Sequence, residues 1–204
     1  LQEQILDNKV CDCCQTTAVK TKSGLIVMYR DRSQQEQRDI SYVVFKKGQW
    51  SQPKSLHSDG CVMRGCPVNG PSVAAQGDKV AVSWFTGSNQ ENKVQVSFSN
   101  NGGQTFSNPI LIDNIAVMGR VKTQILKSGE AIVSYVSNQG EKRIAQIVKV
   151  SPKGKKTILA TIGSLGNSND FPKMALSADK LYITWSEQTG GVSQVKTAFI
   201  KLQK

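Results

Sequence analysis

A repeat near fifty residues long, four strand-length segments in each repeat, and no stretch of useful length with helical periodicity predict an all-β fold. Together they describe a β-propeller of four-stranded antiparallel blades. The stretch Gly24-Leu-Ile-Val-Met-Tyr29 returns as Asp78-Lys-Val-Ala-Val-Ser-Trp84, as Gly129-Glu-Ala-Ile-Val-Ser-Tyr135 and as Asp179-Lys-Leu-Tyr-Ile-Thr-Trp185. Its closing aromatics are 55, 51 and 50 residues apart. Each copy follows a Gly or Asp turn and is rich in β-branched and apolar residues, the composition of a strand.

The other strands fall into place around these copies. A polar turn and a second strand follow each one, at Arg38–Lys46, Lys93–Ser99, Arg143–Val150 and Gln194–Leu202. Three units add an outer strand, as in Pro109-Ile-Leu-Ile112 and Thr157-Ile-Leu-Ala160. One more strand precedes each turn, at Gln15–Lys20, Pro71–Ala75, Val121–Leu126 and Pro172–Leu176. The chain reads as one propeller domain, or the C-terminal part of one. Residues 1–8 form an outer strand, 9–60, 61–113 and 114–163 are three units, and 164–204 is an incomplete fourth. Gln4-Ile-Leu-Asp-Asn8 resembles Pro109-Ile-Leu-Ile-Asp-Asn114, so it either closes a ring against the last unit or finishes a blade whose inner strands are missing. A bare sheet edge on both sides is an aggregation hazard, which makes these the two alternatives.

Composition narrows the class. Of 204 residues, 38% are hydrophobic, a globular value. No apolar run approaches the ~20 residues of a membrane-spanning helix. The chain opens at Leu1 with no initiator Met or leader, which reads as a mature or trimmed product. The net charge of +11 admits an anionic partner. The lysines are spread over the whole length and no basic run is interleaved with aromatics, so a solvated basic surface is favoured over nucleic-acid binding. Five cysteines, Cys11, Cys13, Cys14, Cys61 and Cys66, crowd the first third of the chain and favour an exported, extracytoplasmic protein.

A turn in the second unit carries more specific information. Ser99-Asn-Asn-Gly-Gly-Gln-Thr-Phe106 resembles the Asp-box (BNR repeat) of sialidases and related propellers, with Asn101 in place of the Asp and Phe106 in place of the Trp. Ser99, Asn101, Gly103, Thr105 and Phe106 are the residues of the turn. Asx side chains bond the backbone ahead of them, Gly103 supplies positive φ, and the aromatic packs under the hairpin. Such a box is a folding device and carries no catalysis. Further stretches resemble one group of bacterial sialidase-like proteins: Cys11-Asp-Cys-Cys-Gln-Thr16, Tyr29-Arg-Asp-Arg-Ser33, Arg38-Asp-Ile40, Cys66-Pro-Val-Asn-Gly-Pro71, Trp84-Phe-Thr86 and Gly119-Arg120. The resemblance covers about residues 6 to 186. It implies a six-bladed propeller of which this chain matches the C-terminal half, with a preceding N-terminal half as its partner.

Comparison of the units separates scaffold from specialisation. Tyr29, Trp84, Tyr135 and Trp185 share one repeat position, so Tyr29 reads as blade packing and not as a sialidase-type nucleophile. The non-repeating residues before the innermost strands are Cys13 and Cys14, Cys66 to Gly70, Gly119 and Arg120, and Asn169 and Asp170. On a propeller these strand starts surround one mouth of the central channel. The five cysteines read as disulfides, for instance Cys61 to Cys66 or a bond across blades, or as a thiolate site for zinc or copper. The single His57 cannot make a His-rich site. Arginine forks bind carboxylates bidentately, so a glycan or other anionic small ligand is expected at Arg30, Asp31, Arg38, Arg64, Asn69, Arg120 and Asp170. Ion pairing of Arg30, Asp31, Arg38 and Asp39 among themselves is the competing reading. Arg120 is the strongest single candidate. No catalytic residue emerges: no Tyr is free for the nucleophile of a sialidase, Asp31, Asp59 and Asp170 are each candidate acids but none is paired by spacing, and the remaining parts of a glycoside hydrolase would lie in an N-terminal half.

Overall fold

The computed structural model describes residues 1–65, 67–88, 91–163, 165, 172–189 and 191–202, the side chains of Gln188 and Thr189 excepted. Its sheets follow one another in chain order. The first blade holds β1 Thr17–Lys20, β2 Leu25–Arg30, β3 Ile40–Lys46 and two short outer pieces, β4 Gln49–Trp50 and β5 Lys54–Ser55. Pro53, which has no N–H to donate, lies between those two pieces. The second blade is β6 Ser72–Gln76, β7 Lys79–Thr86, β8 Lys93–Ser99 and β9 Ile110–Asp113. The third is β10 Val117–Ile125, β11 Ala131–Gln139, β12 Lys142–Val150 and β13 Lys156–Ile162. The last sheet is three-stranded: β14 Lys173–Ser177, β15 Lys180–Thr189 and β16 Val192–Lys201. All ladders are antiparallel, and no α-helix occurs among the described residues.

The innermost strands β1, β6, β10 and β14 contact one another in sequence, as blades do around an axis. The core lies between sheets because each strand alternates its side chains between two neighbours. Ile26, Met28, Val80, Val82 and Trp84 fill the space between blades one and two. Ala81, Phe85, Phe98, Val133, Tyr135 and Val148 fill that between two and three. Ile132, Ile147, Leu181 and Ile183 join the third blade to the last sheet.

The repeat aromatic does more than pack. Tyr29 donates its hydroxyl to Asp7 at 2.7 Å, Trp84 its indole N–H to Asp59 at 2.6 Å, and Tyr135 its hydroxyl to Asp113 at 2.8 Å. Asp59 and Asp113 end the outer segments of blades one and two, so each carboxylate anchors the blade that follows. Residues 1–8, expected as an outer strand, form no strand, yet Asp7 in that stretch makes the same bond to blade one.

The Ser99–Phe106 turn has the bonding its residue types require. Ser99 Oγ accepts from the Gly103 N–H at 3.0 Å, and Asn101 Oδ1 accepts from the Thr105 N–H at 3.1 Å. Gly103 sits at φ 82°, where a Cβ would lie 2.4 Å from Ile26 Cδ1 of blade one. Phe106 meets Tyr42 edge-on, ring centres 5.2 Å apart.

Candidate functional site at the inner-strand starts

The starts of β1, β6 and β10 come together with the loop after β2. The cysteine loop is tied down first. The Cys11 N–H donates to the Arg30 carbonyl at 2.9 Å, and Val10 forms a bridge with Asp31. Beyond it, Gln15 Oε1 accepts the Gly70 N–H at 3.2 Å. Only glycine fits at position 70, since a Cβ there would stand 2.0 Å from the Gln15 carbonyl oxygen.

Two of the four arginines expected to face a ligand, Arg30 and Arg38, are structural. Arg30 is 1% exposed and donates Nε to Asn69 O at 2.8 Å, Nη1 to Arg38 O at 2.5 Å and Nη2 to Phe85 O at 2.5 Å. It staples two blades through backbone carbonyls, so the ligand role read from the sequence is corrected. The competing reading, pairing with Asp31 or Asp39, is not what the staple uses. Arg38 is also buried: Nη1 donates to Cys11 Sγ at 3.1 Å and Nη2 to Glu36 at 2.7 Å. Its Nε is buried without a hydrogen-bond partner among the described residues. Arg32 pairs with Glu36 at 2.9 Å. These two guanidiniums hold the Glu36 carboxyl below its usual range. Asp31 accepts the Arg32 N–H at 2.7 Å and the Ser41 hydroxyl at 2.9 Å, which ties it into its own loop. Asp39 receives the Cys61 N–H at 2.9 Å. Arg64 is exposed, and Asn169, Asp170 and Cys66 lie outside the described residues.

Asn69 and Arg120 form the exception. Asn69 is 5% exposed; its Oδ1 accepts the Arg120 N–H at 2.8 Å and its Nδ2 donates to Met118 O at 3.0 Å. One side-chain amide of blade two therefore fixes the backbone of blade three. Gly119 and Arg120 stand inside β10, where the sequence places them ahead of it, because two register shifts surround Gly119. Gly119 adopts φ 84°, and a Cβ there would lie 2.5 Å from Asn69 Oδ1. Arg120 follows at φ 58° and donates Nη1 to the Val68 carbonyl. Val68, at φ 47°, is β-branched and Glu36 is at φ 60°. Backbone held in the left-handed region costs ~1–3 kcal/mol per residue and concentrates where side chains are aimed. Burial, then Arg143, lowers the Arg120 pKa, and burial, then Lys173, lowers that of Lys122. The sequence reading passed over Lys122, Arg143 and Glu36. A period-two reading of β10 finds Lys122, since Met118, Arg120, Lys122 and Gln124 are its half-buried positions.

Three sulfurs gather beside this patch: those of Cys11, Cys13 and Cys14 all lie within 4.8 Å of one another. Cys11, Cys14 and Cys61 are free, buried thiols, whereas Cys13 is disulfide-bonded. A free Cys61 rules out the expected Cys61-to-Cys66 staple. Burial, reinforced by the hydrogen bond from Cys11, pushes the Cys14 thiol up to about 11. The Asp59 oxygens accept from Trp84 and, at 3.2 Å, from Gln95. His57 is 3.9 Å from Asp59, on that outer loop.

No protein-family model and no curated protein matches the sequence. Among solved structures the chain is similar to a Hadza microbial sialidase, Hz136, with a TM-score of 0.60 and 16% identity, over 91% of this chain and 45% of that one. It is similar to GH43B of a Bacteroides ovatus xyloglucan locus, TM-score 0.53 and 13% identity, over 93% and 39%. A third is the Bombyx mori GH32 beta-fructofuranosidase BmSUC1, TM-score 0.51 and 15% identity, over 90% and 45%. At such identities the likeness shows the fold alone. That fold is the propeller of glycoside hydrolases, and the chain spans less than half the length of these three structures.

Proposed function

We propose that this chain forms one wall of an extracytoplasmic, sialidase-like propeller that binds a glycan or another anionic small ligand at the inner-strand starts and does not catalyse by itself. The observation that carries the reading is the Asn69–Arg120 arrangement: a buried amide from one blade fixes an arginine of the next on left-handed backbone, at the mouth where strand starts converge. A guanidinium held there suits a carboxylate. Titration calorimetry with N-acetylneuraminic acid and neutral sugars tests it. Arg120→Ala is expected to weaken binding of the acidic sugar about tenfold or more, a loss on the order of 1.4 kcal/mol. Equal binding by wild type and variant would overturn the reading.

A second reading, a glycoside hydrolase completed by further blades, has its own support. The last sheet exposes Tyr182 and Phe199, a cross-strand pair at the positions of Ala81 and Phe98, which blade three buries. Asp7 likewise bonds Tyr29 as the outer strand of blade two bonds blade three. Both ends of the arc thus suit a neighbouring blade, a preceding propeller half among them. A longer polypeptide carrying those blades is expected to cleave a fluorogenic acidic glycoside; inactivity across such substrates removes this reading.

A further inference from the structure

We propose that Cys11 and Cys14 are a redox-active dithiol that closes to an internal disulfide in the presence of a small-molecule disulfide and reopens on reduction. The inference stands on sulfur geometry and is independent of the ligand reading. The two thiols are separated by two residues and their Sγ atoms are 3.1 Å apart. Closing a bond of ~2.05 Å asks for about 1 Å of relative movement, within reach of side-chain rotation in a turn that belongs to no strand. Among the described residues Cys61 is the other free thiol, and it is not in the cluster.

Arg38 decides which sulfur reacts and which chemistry prevails. Its Nη1 donates to Cys11 Sγ at 3.1 Å, which places a guanidinium against that sulfur and leaves Cys14 the more distant partner, where burial opposes a thiolate. Cys11 is then the attacking sulfur and Cys14 the resolving one. The same guanidinium opposes a metal cation at this position. A tetrahedral thiolate site with ~2.3 Å bonds also spaces its sulfurs wider than 3.1 Å.

The step balances without a metal or cofactor. Cys11 thiolate attacks one sulfur of the small disulfide, that S–S bond breaks, and the first small thiol leaves with the proton given up by Cys11. Cys14, losing its proton, attacks Cys11 Sγ and releases the second small thiol. The cysteines lose two electrons and two protons, and the small disulfide gains both. The neighbouring Asp12 is exposed and Cys13, whose sulfur is 3.5 Å from that of Cys11, is half-exposed, so the turn lies at the surface.

The test uses the whole chain equilibrated in glutathione buffers of increasing oxidised fraction, quenched by alkylation and mapped as peptides. Cys11 and Cys14 are expected to lose alkylation together, with loss of two hydrogens from the peptide that holds them, and Cys61 to stay alkylated. Reduction restores both. Cys14→Ser is expected to stop at a mixed disulfide on Cys11, and Cys61→Ser to behave as wild type. Three results overturn the proposal: both thiols remaining alkylated in fully oxidised buffer, glutathione adducts without internal closure in the wild type, or stoichiometric zinc or copper in anaerobically purified protein with closure blocked until a chelator removes it. Mapping the wild type needs no variant to fold.

Discussion

The aromatic–aspartate bonds between blades and the cluster at the inner-strand starts are arranged on opposite principles. The first is repeated: Tyr29 with Asp7, Trp84 with Asp59, Tyr135 with Asp113, each joining a blade to the outer segment before it. The second is made once, from loops of three blades, on left-handed backbone at Glu36, Val68 and Arg120. Repetition marks scaffold, yet its absence does not mark function, as Arg30 demonstrates. That residue has no counterpart in the other units and is nonetheless as structural as Trp84.

Substitution can break or sharpen this contrast. The largest effect is expected for Trp84→Ala, which empties a fully buried indole site and unpairs Asp59; a loss of about 3–5 kcal/mol by denaturant unfolding is expected. Arg30→Met follows at about 3 kcal/mol, because three buried carbonyls lose their donor. Should that variant keep its stability and lose ligand binding instead, Arg30 belongs with the mouth and the contrast is redrawn. Tyr135→Phe keeps the ring and removes one hydrogen bond, for about 1 kcal/mol, and Tyr29→Phe should match it if the Asp7 bond is equivalent. The smallest effect is one of pH. Burial raises the Asp59 pKa, with the Trp84 and Gln95 bonds working against it. The folded carboxyl then holds its proton more tightly than the unfolded chain does. Its contribution is fullest below about pH 4 and is lost as pH rises through the folded value. Unfolding midpoints across that window should decline less steeply for Asp59→Asn than for wild type.

Much of the fold was legible because its cause is local. Strand composition, turn residues and the fifty-residue spacing act through neighbours in the chain, so every sheet appears where the repeat places it. The Ser99–Phe106 turn was readable for the same reason, since its bonds connect residues two to four apart. The site was half legible. Asn69 and Arg120 do meet, but the sequence could not show that Arg30 and Arg38 spend their donors on carbonyls and a sulfur brought in from other loops. Such partners are chosen by tertiary placement and leave no periodic trace. Nor did composition separate Cys11 and Cys14 from the other sulfurs, although their two-residue spacing was in plain view.

The bond from Tyr135 to Asp113 spans 22 residues of chain, and that from Trp84 to Asp59 spans 25. Contacts this short in sequence form early, before distant pairings are reached. During synthesis a finished blade therefore already carries, on its outer segment, the hook for the next one to emerge. Growth from the ribosome would proceed by successive capture, and a blade deprived of its predecessor's aspartate would be slow to dock even with its own sheet intact.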